Sequence, residues 1–157
     1  RLLPTGSVMM WAGSSAPSGW FLCDGSLKNK TTYSTLYGVV GNAFGTSGGN
    51  FRVPDLRGRF VRGVSGSSNR DPDRGSRTAM DSGGNTGNNV GSVQGDALKS
   101  HSHQYDSRKQ RDTALSGGSN NSRGWDKNDS YETKNTATTG GSETRPTNAY
   151  LHFIIKY

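Results

Sequence analysis

Ala149-Tyr150-Leu151-His152-Phe153-Ile154-Ile155-Lys156-Tyr157 carries the period of an extended chain. Successive side chains of a strand point to opposite sides. Leu151, Phe153, Ile155 and Tyr157 therefore share one face, and Tyr150, His152, Ile154 and Lys156 share the other. The stretch reads as a β-strand that returns to pack on an N-terminal unit. In that unit Ser7–Ala12 and Trp20–Cys23 read as short strands, separated by the turn-rich Gly13–Gly19. Tyr33, Leu36, Tyr37 and Val40 follow i, i+3, i+4, i+7, which predicts one short amphipathic helix capped by Thr31 or Thr32. Trp11, Trp20, Tyr37, Phe44 and Phe51 are expected in the core. The fold class that follows is mainly β with a short helix.

Composition narrows the possibilities. Only 29% of the 157 residues are hydrophobic and 23 are Gly, which leaves little material for a large conventional core. The single cysteine, Cys23, rules out an intrachain disulfide and any CxxC pair. No stretch approaches the apolar length that spans a bilayer, so membrane insertion is not expected. No charged-then-apolar leader opens the chain, and Arg1 in place of an initiator Met predicts a piece or processed product of something longer. The formal charge of +7 is concentrated on Arg52, Arg57, Arg59, Arg62, Arg70, Arg74 and Arg77, offset by Asp55, Asp71 and Asp73. Arg mixed with Asp favours ion pairs or a solvated face. No aromatic-plus-basic reading motif accompanies it, so nucleic acid is not an expected partner. Asp55 beside Pro54 fits a turn in which Arg57 pairs with it.

From Gly63 to Glu143 the texture changes to Gly, Ser, Asn, Thr and Asp, with sparse large apolar residues. Such a segment cannot offset its chain entropy by burial alone. Intertwining with identical chains, a bound metal, or both would order it. Within it His101-Ser102-His103 places two imidazoles at i and i+2, on one side of an extended strand. Two imidazoles cannot saturate a transition metal, but three copies on a threefold axis would supply six nitrogens. An octahedron of imidazoles suits Fe²⁺ or Ni²⁺ better than Zn²⁺, which prefers four ligands. An intrachain zinc site from His101, His103, His152 and Cys23 is the less favoured arrangement.

Several ordered motifs carry a resemblance. Pro4-Thr5-Gly6-Ser7, Ala16-Pro17-Ser18-Gly19-Trp20, Cys23-Asp24-Gly25, Tyr33 with Leu36-Tyr37, and Phe51-Arg52-Val53-Pro54-Asp55-Leu56-Arg57-Gly58-Arg59-Phe60 resemble the phage tail-collar domain. Gln94-Gly95-Asp96-Ala97 with His101-Ser102-His103, and Arg145-Pro146-Thr147-Asn148 with Phe153-Ile154-Ile155-Lys156, resemble the distal parts of phage tail fibres. Tailocin fibres have similar ends. The resemblance implies an intertwined homotrimeric fibre tip with a small collar-like α+β unit, placed in a virion tail fibre or tailocin fibre tip. It also implies a structural metal held by His101 and His103 on the trimer axis. Because similar short fibres use zinc there, Fe²⁺ leads only narrowly. The expected organisation is a collar-like domain at 1–62, a metal-clipped receptor-facing region at 63–143, and a return strand at 144–157.

The expected function is attachment to a bacterial surface, through lipopolysaccharide or an outer-membrane protein. Candidate contact residues are Tyr105, Arg108, Arg111, Arg123, Trp125, Asp126, Lys127 and Tyr131. Aromatic faces beside planar polar groups suit sugar rings, and Arg and Lys suit their phosphates and carboxylates. Two other readings are a depolymerase and a purely structural trimerisation or collar module. A depolymerase needs paired carboxylates, and Asp126 with Asp129 or Glu132 with Glu143 are the candidates. Nothing in their setting suggests the burial that raises one carboxylate pKa, so catalysis is not expected.

Overall fold

A computed structural model describes residues 3–98, 100, 107–108, 131–132 and 144–157. Its elements in chain order are β1 (Val8–Trp11), β2 (Trp20–Leu22), β3 (Leu27–Asn29), α1 (Ser34–Val40), β4 (Thr46–Ser47), β5 (Asn50–Arg52), β6 (Thr78–Ala79), β7 (Ser92–Val93), β8 (Ser107–Arg108), β9 (Tyr131–Glu132) and β10 (His152–Lys156). The protein is mainly β with one short helix. Composition changes at 62/63 and 143/144, whereas packing divides the chain into Arg1–Gly95 with Arg145–Tyr157, and Asp96–Thr144.

The last strand lies in the middle of a sheet of order β1-β10-β2, antiparallel to both neighbours. Val8 pairs with Ile155 and Met10 with Phe153 on one side, while Ile155 pairs with Phe21 on the other. That face meets the core, where Ile155 joins Cys23, Leu36, Phe51 and Val53, with Phe21 and Phe153 packed against them. Tyr157 extends the same face and stacks on Phe21, ring centroids 4.2 Å apart. Ile154, on the opposite face between Met9 and Leu22, is also buried, so the central strand is covered on both sides. The Cys23 amide donates to the Phe153 carbonyl at 2.8 Å, and the Leu56 amide donates to the Cys23 carbonyl at 3.0 Å. One short stretch thereby ties the last strand to the loop after β5.

Leu36 is the buried residue of α1, and Tyr33, Tyr37 and Val40 pack partly buried against the core, as the spacing predicts. The cap differs. Thr31 and Thr32 do not accept from the helix; the Asn29 side-chain oxygen accepts from both of their amides at 3.0 Å. An Asx turn at the end of β3 therefore sets the entry angle. Gly41, at φ 55°, ends the helix, its amide donating to the Tyr37 carbonyl. Of the five aromatics expected in the core, Phe51 is fully buried, while Trp11, Trp20, Tyr37 and Phe44 are only partly covered. Phe51 sits in the second sheet, of order β3-β5-β4, whose β4–β5 hairpin turns through Gly48-Gly49.

Residues 63–95 hold together by polar contacts. Asp71 is buried, and Arg77 reaches it at 3.4 Å while also donating to Ser92 Oγ, the Ser92 carbonyl and Gln94 Oε1. Gln94 Nε2 donates in turn to the Asp73 carbonyl. This fan spans the short β6–β7 ladder, in which Thr78 pairs with Val93. In the second unit β8 and β9 pair antiparallel, Ser107 opposite Glu132 and Arg108 opposite Tyr131.

Gly91 is held at φ +93°, and a Cβ there would strike the Ala43 carbonyl oxygen. Both the dihedral and the backbone collision oppose any side chain. Gly91→Ala is expected to cost about 2–4 kcal/mol, seen as a fall of roughly 5–10 °C in Tm by calorimetry.

Candidate functional site

His101, His103, Tyr105, Arg111, Arg123, Trp125, Asp126 and Lys127 lie outside the described residues. Asp129 and Glu143 of the candidate carboxylate pairs lie there too. Arg108 and Tyr131, 23 positions apart in sequence, are direct cross-strand partners of the β8–β9 ladder. The pairing brings two of the candidate receptor contacts to one rung.

Among the described residues no group of three or more His, Cys, Asp or Glu side chains is arranged to hold a metal. His152 and Cys23, the extra ligands of an intrachain zinc site, are differently placed. Cys23 is buried in the apolar cluster with Leu36, Phe51 and Ile155. Burial, with the Asp24 charge beside it, pushes its thiol up to about 12. A zinc ligand must be a thiolate, so this cysteine is a poor donor. His152 lies in β10 opposite Trp11.

A cavity of about 160 Å³ in the first unit is lined among others by Asp24, Arg52, Asp55, Arg57 and Asp81. Asp24 and Asp55 form an isolated antiparallel bridge. Gly25 at φ +76° lets the two strands approach, since a Cβ there would stand 3.1 Å from that of Asp55. Arg57 grips Asp55 through Nε and Nη2, both at 2.8 Å. Arg52 donates to the Gly25 carbonyl at 2.8 Å, and its Nε lies 3.0 Å from Asp81 Oδ2 without hydrogen-bond alignment. The side-chain bond from Arg57 holds the Asp55 carboxyl below the usual range, against partial burial. Partial burial also works against ionisation of Asp24, but bonds from Ser26 and the Lys28 charge outweigh it and hold that carboxyl low too. General acid catalysis on a sugar needs one carboxyl kept protonated, and both of these are pushed the other way. The pocket is a node of ion pairs.

The basic stretch divides similarly. Arg52, Arg57, Arg62 and Arg77 lie within 4 Å of aspartates, and Arg74 donates to the Asp71 carbonyl. The sequence missed a different feature, a set of bare apolar residues. Val8, Met9 and Met10 on β1, Leu151 before β10, and Phe60, Val61 and Val64 after the cavity loop are all exposed. Ser7–Ala12 is legible as a strand, but not as the outermost strand of its sheet.

Because Asp24 and Asp55 have depressed pKa values, the stability they contribute is complete above the ordinary carboxylate range. It is lost as pH falls from about 4 through the folded values. Tm measured from pH 7 to pH 3 is expected to drop steeply below about pH 4. Asp55→Asn should start lower at pH 7 and flatten the acid limb, so that the two curves converge.

Residues 6–61 match the model of the Phage Tail Collar Domain. The chain is 36% identical to protein RhiB of Rhizobium leguminosarum bv. viciae, over 88% of its own length and 64% of that protein. It is 31% identical to the short tail fiber protein gp12 of Enterobacteria phage T4, over 99% of its length and 35% of the fibre protein. With protein StfE of Escherichia coli (strain K12) it shares 32% identity over 68% of its length and 47% of that protein. The chain thus spans between about a third and two-thirds of the curated relatives it matches. Collar motifs, a central C-terminal strand and a match to a tail fibre along nearly the whole chain coincide, and the chain is a phage tail-collar, tail-fibre-type protein.

Proposed function

We propose that the chain forms the host-facing end of a homotrimeric tail fibre, which attaches a phage or tailocin to a bacterial surface without catalysis. The observation that supports this most is the organisation of the polypeptide. A collar unit built from both ends of the chain carries, between Gly95 and Arg145, a separate polar stretch rich in aromatic, Arg and Asn residues. Likeness to the T4 short tail fibre runs through that stretch as well. In this reading Tyr105, Arg108, Arg111, Arg123, Trp125, Asp126, Lys127 and Tyr131 present stacking faces and charges to lipopolysaccharide or an outer-membrane protein.

His101 and His103 hold a structural metal on the trimer axis. The donor set fits: two neutral imidazoles from each of three copies fill an octahedron, for which Fe²⁺ is narrowly preferred to Zn²⁺. The buried, protonated Cys23 argues against the intrachain alternative. With every position filled by protein, the ion staples chains together and leaves no open site for a reaction.

Two measurements test this. Trp125→Ala with Lys127→Ala should lower binding to purified lipopolysaccharide or outer-membrane vesicles about tenfold or more, with subunit number unchanged. A stable trimer that binds neither would overturn the attachment reading in favour of a structural module. His101→Ala with His103→Ala should abolish bound metal in elemental analysis and lower Tm by about 10 °C or more. Unchanged metal content would remove the site.

A further inference from the structure

We propose that the extended segment Phe60–Val64 of one copy docks along the bare outer margin of β1 in the next copy, closing a head-to-tail ring of three. This rests on the homotrimer reading and says which surfaces join. β1 is an end strand of its sheet, with β10 on one side only. Among the described residues, no backbone amide or carbonyl of Phe60–Val64 has a backbone partner. Two rows of unused main-chain groups are thus available on one chain. An exposed edge with apolar side chains is a template for adding a strand.

The side chains agree. Val8 and Met10 lie opposite Ile155 and Phe153, on the core-facing side of the sheet, and Leu151 continues that face past β10. Yet Val8, Met10 and Leu151, like Phe60, Val61 and Val64, are between 44% and 68% exposed. A row that begins in the core and ends in solvent is an unfinished surface. Six side chains of this size at such exposure offer on the order of 500 Å² of apolar area. A standard interface needs about 800 Å² per partner, of which a little over half is apolar. Each subunit makes two such contacts, so each patch brings about 250 Å² of apolar area to its own interface, roughly half that amount, and paired main-chain groups supply the rest of a small interface. The patches differ, so the contact is heterologous, and a threefold rotation closes it with no patch left over. An unlike protein would have to match both patches independently.

Cross-linking tests this cleanly, because the single native cysteine is buried and its thiol is pushed up to about 12. The full chain carrying Met10→Cys and Val61→Cys is oxidised mildly, or treated with a short bis-maleimide, while subunit number is followed by light scattering. The expected result is covalent dimer and trimer on a denaturing gel from the double variant, and only monomer from either single variant. A trimer in solution that gives no ladder overturns the docking and leaves the trimer standing. Cross-linked dimer from a single variant overturns the head-to-tail arrangement. A monomer, with or without an internal cross-link, overturns both. Independently, Phe60→Asp with Val61→Asp should weaken subunit association about a hundredfold while circular dichroism stays unchanged. Unaltered association would also overturn the docking.

Discussion

The strand His152–Lys156 completes both the core and the first sheet of the collar unit. It sits between β1 and β2, supplies Ile155 to the apolar cluster, and receives the Cys23 amide on the Phe153 carbonyl. Without it β1 and β2 are two unconnected edges, and too few strands remain to make a stable sheet. Everything between Cys23 and His152 is therefore a closed excursion from one structural knot. Loop-closure entropy grows only logarithmically with length, so the polar stretch inside that excursion can be long at little extra cost.

Order in the collar unit has two sources of different kind. Near α1 and β5 it comes from apolar burial around Phe51 and Leu36. Between Gly63 and Gly95 it comes from Arg77, which spreads its guanidinium over Asp71, Ser92 and Gln94. A buried carboxylate without its partner would be costly, so the fan specifies one arrangement of a segment with almost no core. The polar network also holds Gln94, next to the point where the chain leaves the collar unit.

The surface carries the complementary deficit. Among the described residues more large hydrophobic side chains are exposed than lie in the core, and six of them fall on β1 and Phe60–Val64. Scattered exposed apolar residues are ordinary on a monomer, but rows joined to unpaired backbone are not. A small core and an unfinished sheet describe the same situation from inside and outside. The collar unit is short of burial, and its bare rows are where more can be gained.

Local periodicity was enough to place β10, β1, β2 and α1, because alternation and the i, i+3, i+4, i+7 spacing are properties of consecutive residues. The collar motifs were equally legible, since turns such as Cys23-Asp24-Gly25 and the Asp55–Arg57 pair are made by near neighbours. Three matters were settled only by tertiary contacts. Ile154 is buried although it shares a face with His152 and Lys156, because β10 is central and Met9 and Leu22 flank it. No threonine caps the helix; the Asn29 side chain instead accepts from the Thr31 and Thr32 amides and shapes the turn that leads into it. Arg77 finds Ser92 and Gln94 across more than a dozen residues, a pairing that no local pattern announces. Sequence period reports which way a side chain points; what it meets there depends on which distant strand arrives beside it.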